Sequence, residues 1–239
     1  MGTIAPAPTT RVSIVIPIYN ELQHVEEVIR RVIAAPLPTG CEKEIIVIDD
    51  GSTDGTTQLL KKLQEQGQIR FHESILNFGK GTALRIGLRM ATGAVLLVQD
   101  GDLEYDPNEY QFLLQPILEG KADVVYGSRF AGKIEGMRGP NFLANKILTW
   151  AANVLYGANI TDEATAYKVF RREVLDPIRL ECKRFEFCPE VTAKLRKRGV
   201  KIHEVPITYS GRTLEQGKKI RWRDGFEAML TLLRYRFHD

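Results

Sequence analysis

The chain has 239 residues and a formal net charge of +3, with 44% hydrophobic and 26% charged residues. This balance is typical of a soluble globular protein and excludes a disordered or collagen-like chain. No stretch approaches the roughly 18 uninterrupted apolar residues that a membrane-spanning helix requires, so we expect the chain not to span a bilayer.

The N-terminus and the cysteines carry no processing or cross-linking signal. Residues 1–10 lack the basic and then apolar segments of a signal peptide, and we expect them to form a flexible tail. Pro6 stands where a myristoylation signal needs Ser or Thr. The three cysteines, Cys41, Cys182 and Cys188, form no CxxC pair. They predict neither a zinc site nor a disulfide framework, and they suit a reducing cytosol.

Hydrophobic periodicity in the first half of the chain predicts strands that alternate with helices. The predicted strands are residues 11–17, 44–49, 69–73, 94–98 and 122–126, and the predicted helices lie within 25–33, 59–63, 81–91 and 108–119. This alternation predicts βαβ units, and therefore an α/β fold with a mainly parallel sheet covered by helices on both faces. Ligands bind beyond the carboxyl ends of such strands. Residues 19–20, 49–50 and 100–102 each follow a strand, so we expect them to share one edge of the sheet.

The second half of the chain has a less regular pattern. Its predicted helices are residues 141–156, 189–198 and 224–237, and its predicted strands are 167–170 and 202–209. The last helix is amphipathic, with apolar residues at helical spacing: Trp222, Phe226, Met229, Leu230, Leu233 and Phe237. Between residues 194 and 223 basic residues far outnumber acidic ones, so we expect this part of the chain to attract anions.

The strongest local signal is an acidic cluster directly after the fourth predicted strand. Asp100 and Asp102 flank a glycine, and Glu104 follows two residues later. Several like charges placed together are costly unless a cation neutralises them. Hard divalent cations such as Mg²⁺ or Mn²⁺ take oxygen ligands and keep positions open for substrate phosphates. The cluster predicts a metal site, and the alternative is an acidic turn in which Asp102 caps a helix or loop.

A second acidic turn follows the second predicted strand. Asp54 is placed to cap the next helix, which favours a structural role. Asp50 ends the strand itself, where a carboxylate can accept hydrogen bonds from a base or a ribose. Taken alone, Asp49 and Asp50 would also fit the acidic pocket of a phosphorylated receiver domain.

Residues 77–82 (NFGKGT) combine two glycines, a cation and the start of a helix. The glycines would let the backbone approach a ligand, and a helix N-terminus favours an anion. The spacing is not that of a P-loop, and a plain turn is the alternative. Lys80 is therefore a candidate for contact with a ligand.

Four motifs in order closely resemble those of the family 2 glycosyltransferases. They are residues 16–21 (IPIYNE), 48–56 (IDDGSTDGT), 77–81 (NFGKG) and 99–102 (QDGD). Later segments are similar to the dolichyl-phosphate mannose synthase and polyprenyl-phosphate glycosyltransferase branch: residues 127–130, 161–171, 185–187 and 209–219. The resemblance covers about residues 11–237. It implies a GT-A fold, a nucleotide-diphosphosugar donor and transfer of the sugar with inversion.

The resemblance also implies individual roles. The nucleoside would be held by Pro17, Tyr19, Glu21 and Asp50, and the metal by Asp100, Asp102 and Glu104. The acceptor phosphate would be bound by Arg129 and Arg138, and the donor phosphates by Arg212 and Lys218 or Lys219. Lys80 is a further candidate for binding the donor. Many members of this branch have Gln where Glu104 stands. Within one domain, residues 11–128 would form the nucleotide-sugar-binding half, and residues 129–239 the acceptor-binding half.

This resemblance predicts a hexosyltransferase that moves a sugar from GDP-mannose or a UDP-sugar to a polyprenyl phosphate. A phosphate monoester is already anionic near neutral pH and needs no strong general base, so Asp102 and Arg129 are the expected catalytic residues. If the acceptor were a hydroxyl on a soluble molecule or a glycan, a base would be needed, and Asp162 or Glu163 would be the first candidates. A non-catalytic nucleotide-binding or receiver-like module is the remaining alternative.

Partners and location follow from the same hypothesis. We expect Mg²⁺ or Mn²⁺ as cofactor, a nucleotide-sugar and a polyprenyl phosphate as substrates, and no nucleic acid. A polyprenyl chain stays in the bilayer, so the amphipathic helix at 224–237 could lie on the lipid surface, although the same stripe could pack on the core of the domain. We therefore expect a cytoplasmic protein that contacts the membrane peripherally, either directly or through a membrane subunit.

Overall fold

The computed structural model describes residues 9–212 and 222–238. The strands are β1 (Thr10–Ile18), β2 (Cys41–Asp49), β3 (Arg70–Glu73), β4 (Val95–Val98), β5 (Val124–Glu135), β6 (Lys168–Arg171) and β7 (His203–Ser210). The helices are α1 (Val25–Ala34), α2 (Thr56–Glu65), α3 (Lys80–Met90), α4 (Tyr110–Leu118), α5 (Gly139–Tyr156), α6 (Arg172–Leu175), α7 (Phe187–Lys197) and α8 (Trp222–Phe237), with a short 3₁₀ turn at Pro107–Glu109 before α4.

The seven strands form one sheet in the order β3-β2-β1-β4-β6-β5-β7. The strand pairs β1–β2, β1–β4, β2–β3 and β5–β7 are parallel, while β6 is antiparallel to both of its neighbours. The sheet is therefore mainly parallel, as the alternation of strands and helices predicted. Because β6 reverses direction between β4 and β5, strands β5 and β7 run the same way as β4.

Side chains on both faces of the sheet are buried, which explains why the central strands are almost continuously apolar. On β1, Ile14 and Ile16 pack toward α1, α2 and α4, whereas Val15 packs toward α3, α5, α7 and α8. On β2, Val47 packs on the same side of the sheet as Ile14, and Ile48 packs on the same side as Val15. Two hydrophobic cores thus hold the sheet rigid between two layers of helices.

The chain runs from β1 outward to β3 and then returns to place β4 on the other side of β1. This reversal opens a crevice beyond the carboxyl ends of β1 and β4, which is the usual ligand position in an open α/β sheet. Tyr19, Asp50 and Asp100 follow the ends of β1, β2 and β4, so the topology brings the predicted segments to one edge.

The strand predicted at residues 122–126 is much longer in the structure, since β5 extends to Glu135. Its pairing with β7 is interrupted between Ser128 and Lys133. A Cβ atom at Gly132 would lie 2.0 Å from the carbonyl oxygen of Ile207, so only glycine allows this close approach. The exposed second part of β5 lacks apolar alternation, and the periodicity therefore did not reveal it.

Differences at the chain ends are small. Strand β1 begins at Thr10, so residue 10 belongs to a strand and not to the predicted tail, while residues 1–8 lie outside the described part of the chain. The short helix α6 was not predicted. Among the helices of the described residues, none has both the length and the apolar composition to cross a membrane.

Candidate active site

A cavity of about 640 Å³ lies at the crevice beyond β1 and β4. It brings together all but four of the residues that the sequence analysis assigned to the donor, the metal or the acceptor phosphate. Its described lining is Pro17, Ile18, Tyr19, Glu21, Asp50, Asn77, Phe78, Gly79, Lys80, Ala83, Asp100, Gly101, Asp102, Glu104, Arg184, Phe185, Arg212 and Asp224. Of the four others, Arg129 and Arg138 are described elsewhere in the fold, while Lys218 and Lys219 lie outside the described residues.

One wall of the cavity is formed by the loop after β1 and the loop after β2, and hydrogen bonds join these two loops. Asn20 has a left-handed backbone (φ 48°), donates its backbone N–H to Ser52 Oγ at 2.8 Å and accepts from Thr53 N–H at 2.8 Å. Asp54 accepts from the N–H groups of Leu22 and Thr56 at 3.1 and 3.0 Å. Asp54 therefore has the structural role that its position before α2 predicted.

Asp50 connects the end of β2 to the loop before α3. Its two carboxylate oxygens accept the backbone N–H groups of Phe78 and Gly79 at 2.9 and 2.7 Å. Burial raises the pKa of Asp50, against the effect of these two hydrogen bonds. Each carboxylate oxygen has a second lone pair, so Asp50 can still accept from a ligand at the cavity wall.

The glycines of residues 77–82 serve packing against another part of the chain. A Cβ at Gly79 would lie 2.5 Å from the carbonyl oxygen of Lys183, and one at Gly81 would lie 2.9 Å from the backbone of Cys182. The N–H of Gly81 donates to the carbonyl of Arg184 at 2.7 Å, so this donor at the N-terminus of α3 already has a partner. These glycines admit residues 182–184, and because Gly79 also lines the cavity, the approach of a ligand to this backbone stays a prediction.

Two carboxylates of the acidic cluster are each matched by a cation. Lys80 Nζ lies 2.5 Å from Asp100 Oδ1, and Arg212 Nη2 lies 2.5 Å from Asp102 Oδ2. Burial, and then the charges of Asp100 and Glu104, raise the pKa of Asp102 to about 7, although Arg212 opposes this shift. At Asp102, burial and the neighbouring carboxylates therefore outweigh the effect of Arg212.

Glu104 faces the C-terminal part of the chain. Its Oε2 accepts from the hydroxyl of Tyr209 at 2.8 Å, and its Oε1 accepts from the backbone N–H of Arg212 at 2.8 Å. These contacts fix the start of the segment that carries Arg212. The structure gives Glu104 this connecting role, and its predicted contact with a metal stays a prediction.

The carboxylates of Asp100 and Asp102 are the donor groups available for a divalent cation in the cavity. Within residues 9–212 and 222–238, no group of three His, Cys, Asp or Glu side chains is arranged as a metal centre. Asp100 and Asp102 nevertheless line one cavity, and the raised pKa of Asp102 reflects charge that a cation would relieve. Mg²⁺ sites commonly use one or two carboxylates, with substrate phosphates and water as the other ligands. The two aspartates fit a site of this kind.

A layer of tyrosines beneath the acidic loop was missed by sequence reasoning. Gln99 Oε1 accepts hydrogen bonds from the hydroxyls of Tyr110 and Tyr167 at 2.6 and 2.8 Å. Tyr105 packs between Tyr167 and Tyr209, with ring centroids at 4.8 and 5.4 Å. These buried side chains hold the loop that follows β4. Single aromatic residues far apart in the sequence gave no pattern that could have revealed the layer.

Arg129 is buried and paired with Asp162. Its Nε and Nη2 lie 2.7 and 2.8 Å from the two carboxylate oxygens of Asp162, and its own N–H donates to the same carboxylate at 3.0 Å. Its guanidinium also lies over the ring of Tyr209, 5.2 Å from the centroid. Arg138, by contrast, is exposed and precedes α5. The structure does not bring the two predicted acceptor arginines into one environment.

The candidate bases for a hydroxyl acceptor are both fully buried. The carboxylate of Asp162 is paired with the guanidinium of Arg129. Glu163 has no exposed surface, and burial raises its pKa to about 7. Its Oε1 lies 3.4 Å from Thr192 Oγ1, on the side of α7. Neither carboxylate is placed to take a proton from a substrate in the cavity.

Three lining residues from the second half were not singled out as site residues: Arg184, Phe185 and Asp224. Arg184 Nη2 lies 3.9 Å from Asp224 Oδ1, and the Arg184 side chain is 60% exposed. Because Arg184 directly precedes the quoted segment 185–187, its position beside that motif was the available signal. It adds a positive charge to the wall opposite β1.

The fold and the cavity define a doubly wound α/β protein with its ligand site at the switch point of the sheet. The family model for glycosyl transferase family 2 matches residues 13–179. The chain therefore belongs to this family.

Two curated relatives match most of the chain. Dodecaprenyl-phosphate galacturonate synthase from Rhizobium johnstonii is 30% identical over 217 residues, which cover 88% of this chain and 62% of the relative. Undecaprenyl-phosphate 4-deoxy-4-formamido-L-arabinose transferase from Salmonella paratyphi A is 29% identical over 218 residues, covering 89% and 63%. The chain thus spans a little under two thirds of the length of these relatives.

Solved structures share the fold. Glucosyl-3-phosphoglycerate synthase from Mycobacterium tuberculosis, in complex with phosphoglyceric acid, superposes with a TM-score of 0.74 at 22% identity, covering 96% of this chain and 81% of that one. The same enzyme with Mn²⁺, UDP-glucose and phosphoglyceric acid gives a TM-score of 0.73 at 21% identity, with the same coverage. The predicted GT-A fold is confirmed.

The raised pKa of Asp102 gives a prediction for stability. The folded-state pKa of about 7 lies above the ordinary value of 3.8, so the metal-free fold loses stability as pH rises from 3.8 to about 7, and this loss is complete above the folded-state pKa. Asp102→Asn lacks this penalty. The melting temperature of Asp102→Asn minus that of wild type should therefore be larger at about pH 8.5 than at about pH 5.5. Scanning fluorimetry without metal measures this difference, and a flat or falling difference would contradict the assigned pKa.

Removal of Arg129 should be costly because it leaves Asp162 buried without its partner. Arg129→Ala is expected to lower the free energy of unfolding by about 3–5 kcal/mol. Arg138→Ala is the matched control: it removes the same charge from an exposed position and should change stability by less than about 0.5 kcal/mol. Urea denaturation compares the two. Equal losses would show that the Arg129–Asp162 pair does not stabilise the fold.

Proposed function

We propose that this chain transfers a hexose from a nucleotide-diphosphosugar to a polyprenyl phosphate, with inversion at the anomeric carbon and with a divalent cation. The observation that carries the proposal is the pairing of Asp100 with Lys80 and of Asp102 with Arg212 in one cavity. The cavity thus contains, side by side, carboxylates that can bind a metal and cationic side chains that can bind phosphates. The names of both curated relatives, a polyprenyl-phosphate sugar synthase and a polyprenyl-phosphate sugar transferase, support the choice of acceptor.

The donor would lie across the ends of β1, β2 and β4. Pro17, Tyr19 and Asp50 form the wall beyond β1 and β2, which suits the nucleoside. Lys80 and Arg212 stand beside the acidic loop, which suits the diphosphate, because cations bind phosphate oxygens through charge-assisted hydrogen bonds. The solved structures of the fold neighbour with UDP and Mn²⁺ support a donor of this class.

Asp100 and Asp102 would hold the cation. Bound there, a divalent cation supplies positive charge next to the departing diphosphate. The role of the protein residues is to align the donor and to balance charge: Lys80 and Arg212 stabilise the phosphate oxygens as the bond to the sugar breaks. The ion itself, Mg²⁺ or Mn²⁺, belongs to the proposal.

The buried state of Asp162 and Glu163 favours a phosphate acceptor over a hydroxyl. A phosphate monoester has a second pKa near 6 and attacks as an anion, without giving a proton to the enzyme. Arg138 and Arg184 are exposed cations in the acceptor half and can attract such a group. Arg129 would reach it only by exchanging Asp162 for the phosphate, so we assign Arg129 to orienting the acceptor wall.

Contact with the membrane surface is part of the proposal, because a polyprenyl chain remains in the bilayer. Helix α8 buries Ala228, Leu232 and Tyr235. The predicted stripe is largely on its other side: Phe226, Leu230, Leu233 and Phe237 are exposed, while Met229 packs on the core and the side chain of Trp222 lies outside the described residues.

The neighbouring helix α5 presents a second apolar stripe. It packs against α8 and exposes Phe142, Leu143, Ile147, Trp150 and Val154. Arg234 and Arg236 are exposed on α8, where cations would meet anionic headgroups. Apolar side chains beside basic ones are the composition of a helix pair that lies in the lipid interface.

A donor screen tests the proposed reaction. Purified protein is incubated with GDP-mannose or UDP-sugars, a short polyprenyl phosphate and Mn²⁺, and product mass and anomeric configuration are determined. We expect a polyprenyl-phosphate hexose with the configuration opposite to that of the donor. Chelator, Asp100→Asn and Asp102→Asn should each abolish it. A glycosylated soluble alcohol as the product would favour the hydroxyl acceptor, and retained activity in chelator would remove the metal requirement.

Flotation with liposomes tests the membrane contact. The protein should float with anionic vesicles at low salt and detach at high salt, because each basic residue contributes only about 1 kcal/mol near an anionic leaflet. Phe226→Glu with Leu230→Glu should prevent flotation. The control is Phe112→Glu, an exposed phenylalanine on α4, which packs on the opposite face of the sheet. If the wild type stays unbound, or if the control behaves as the double variant does, the assigned surface is wrong.

A further inference from the structure

We propose that the guanidinium of Arg212 occupies the metal-binding carboxylates while the donor is absent, and that a divalent cation binds only when Arg212 leaves Asp102. This inference rests on the proposed function, in which Asp100 and Asp102 hold the cation. It gives Arg212 two alternating partners, the carboxylate of Asp102 and the diphosphate of the donor.

The contacts of Arg212 show how firmly it holds this position. Its Nη2 lies 2.5 Å from Asp102 Oδ2, and its Nη1 lies 3.1 Å from Glu21 Oε2. Glu104 Oε1 lies 4.0 Å from its Nε. Only 11% of the Arg212 side chain is exposed. One cation thus bridges carboxylates from the β1–α1 loop and from the acidic loop after β4.

The metal and Arg212 compete for the same oxygen atoms. Oδ1 of Asp102 accepts the N–H of Glu104 at 3.0 Å, and Oδ2 is the atom that Arg212 contacts. A cation that takes Oδ2 as a ligand would therefore share this oxygen with the guanidinium. In a cavity with little exposed surface, two positive charges on one carboxylate oxygen repel each other strongly.

The backbone next to Arg212 is anchored, so the exchange requires only its side chain to move. Ser210 N–H donates to the carbonyl of Glu104 at 3.0 Å, and Gly211 N–H donates to the carbonyl of Glu135 at 2.8 Å. The N–H of Arg212 itself is held by the Glu104 carboxylate at 2.8 Å. Glu104 is accordingly a positioning residue: it keeps the Cα of Arg212 beside the cavity whichever partner the guanidinium takes.

Binding of the donor would end the competition between the metal and Arg212 for Asp102. Its diphosphate offers Arg212 an alternative anion and at the same time brings oxygen ligands for the cation. Metal affinity should therefore be low in the free protein and high with nucleotide, and part of this difference comes from Arg212. Binding of metal and binding of donor are then coupled, and each favours the other.

Mn²⁺ binding without nucleotide tests the inference, with free Mn²⁺ measured by electron paramagnetic resonance at about pH 8, where protons compete least for Asp102. Arg212→Gln should bind Mn²⁺ at least about tenfold more tightly than wild type. Arg184→Gln is the matched control, since it removes one positive charge from the same cavity without freeing Asp102. It should change the affinity less than threefold, as expected for a more distant, exposed charge.

Equal affinities for wild type and Arg212→Gln, or equal gains in both variants, would overturn the inference. If Arg212→Gln is too unstable to purify, Arg212→Lys keeps the charge but cannot bridge two carboxylates, and it should show a smaller gain in the same direction. A titration of wild type with UDP present separates the two hypotheses. Mn²⁺ binding there, with no effect of Arg212, refutes only this inference, whereas no binding under any condition refutes the metal in the proposed function.

Discussion

The site depends on the neutralisation of carboxylates that the fold gathers at the ends of its central strands. A parallel sheet places the residues after β1 and β4 side by side, and here those residues include Glu21, Asp100 and Asp102. Carboxylates so close together are tolerated because cations from other parts of the chain reach them. Lys80 comes from the start of α3, and Arg212 comes from the segment after β7. The fold therefore brings cationic residues from distant parts of the sequence to the edge of the sheet that carries these carboxylates.

The antiparallel strand β6 makes this arrangement possible. Because it runs against β4 and β5, both β5 and β7 point their carboxyl ends toward the edge that carries the acidic loop. Gly132 lets β5 and β7 approach closely, and Tyr209 then reaches Glu104. The tyrosines below the loop supply a rigid base. Packing of residues in the second half of the chain thus fixes the position of a charged residue from the first half, Glu104.

The sequence predicted the alternating elements well where both periodicity and turn residues were clear. It also placed Asp50, Asp100 and Asp102 at one edge, because that follows from strand ends alone. It could not predict the partners of Arg129 or Glu104: both depend on residues more than thirty positions away, and no local pattern records such contacts. The packing of the glycines before α3 against residues 182–184 was missed for a similar reason, since close approach to another chain segment and close approach to a phosphate require the same residue type.

Arg212 and Glu21, which meet across the cavity, are 191 positions apart in the chain. A ribosome therefore releases the β1–α1 loop and the acidic loop long before the residue that neutralises them emerges. Until then the nascent chain carries a sheet edge rich in unpaired negative charge, and contacts of such long range form late in folding. The described cavity is completed only after residue 212 has been synthesised, so a shorter nascent chain lacks Arg212 at the acidic edge.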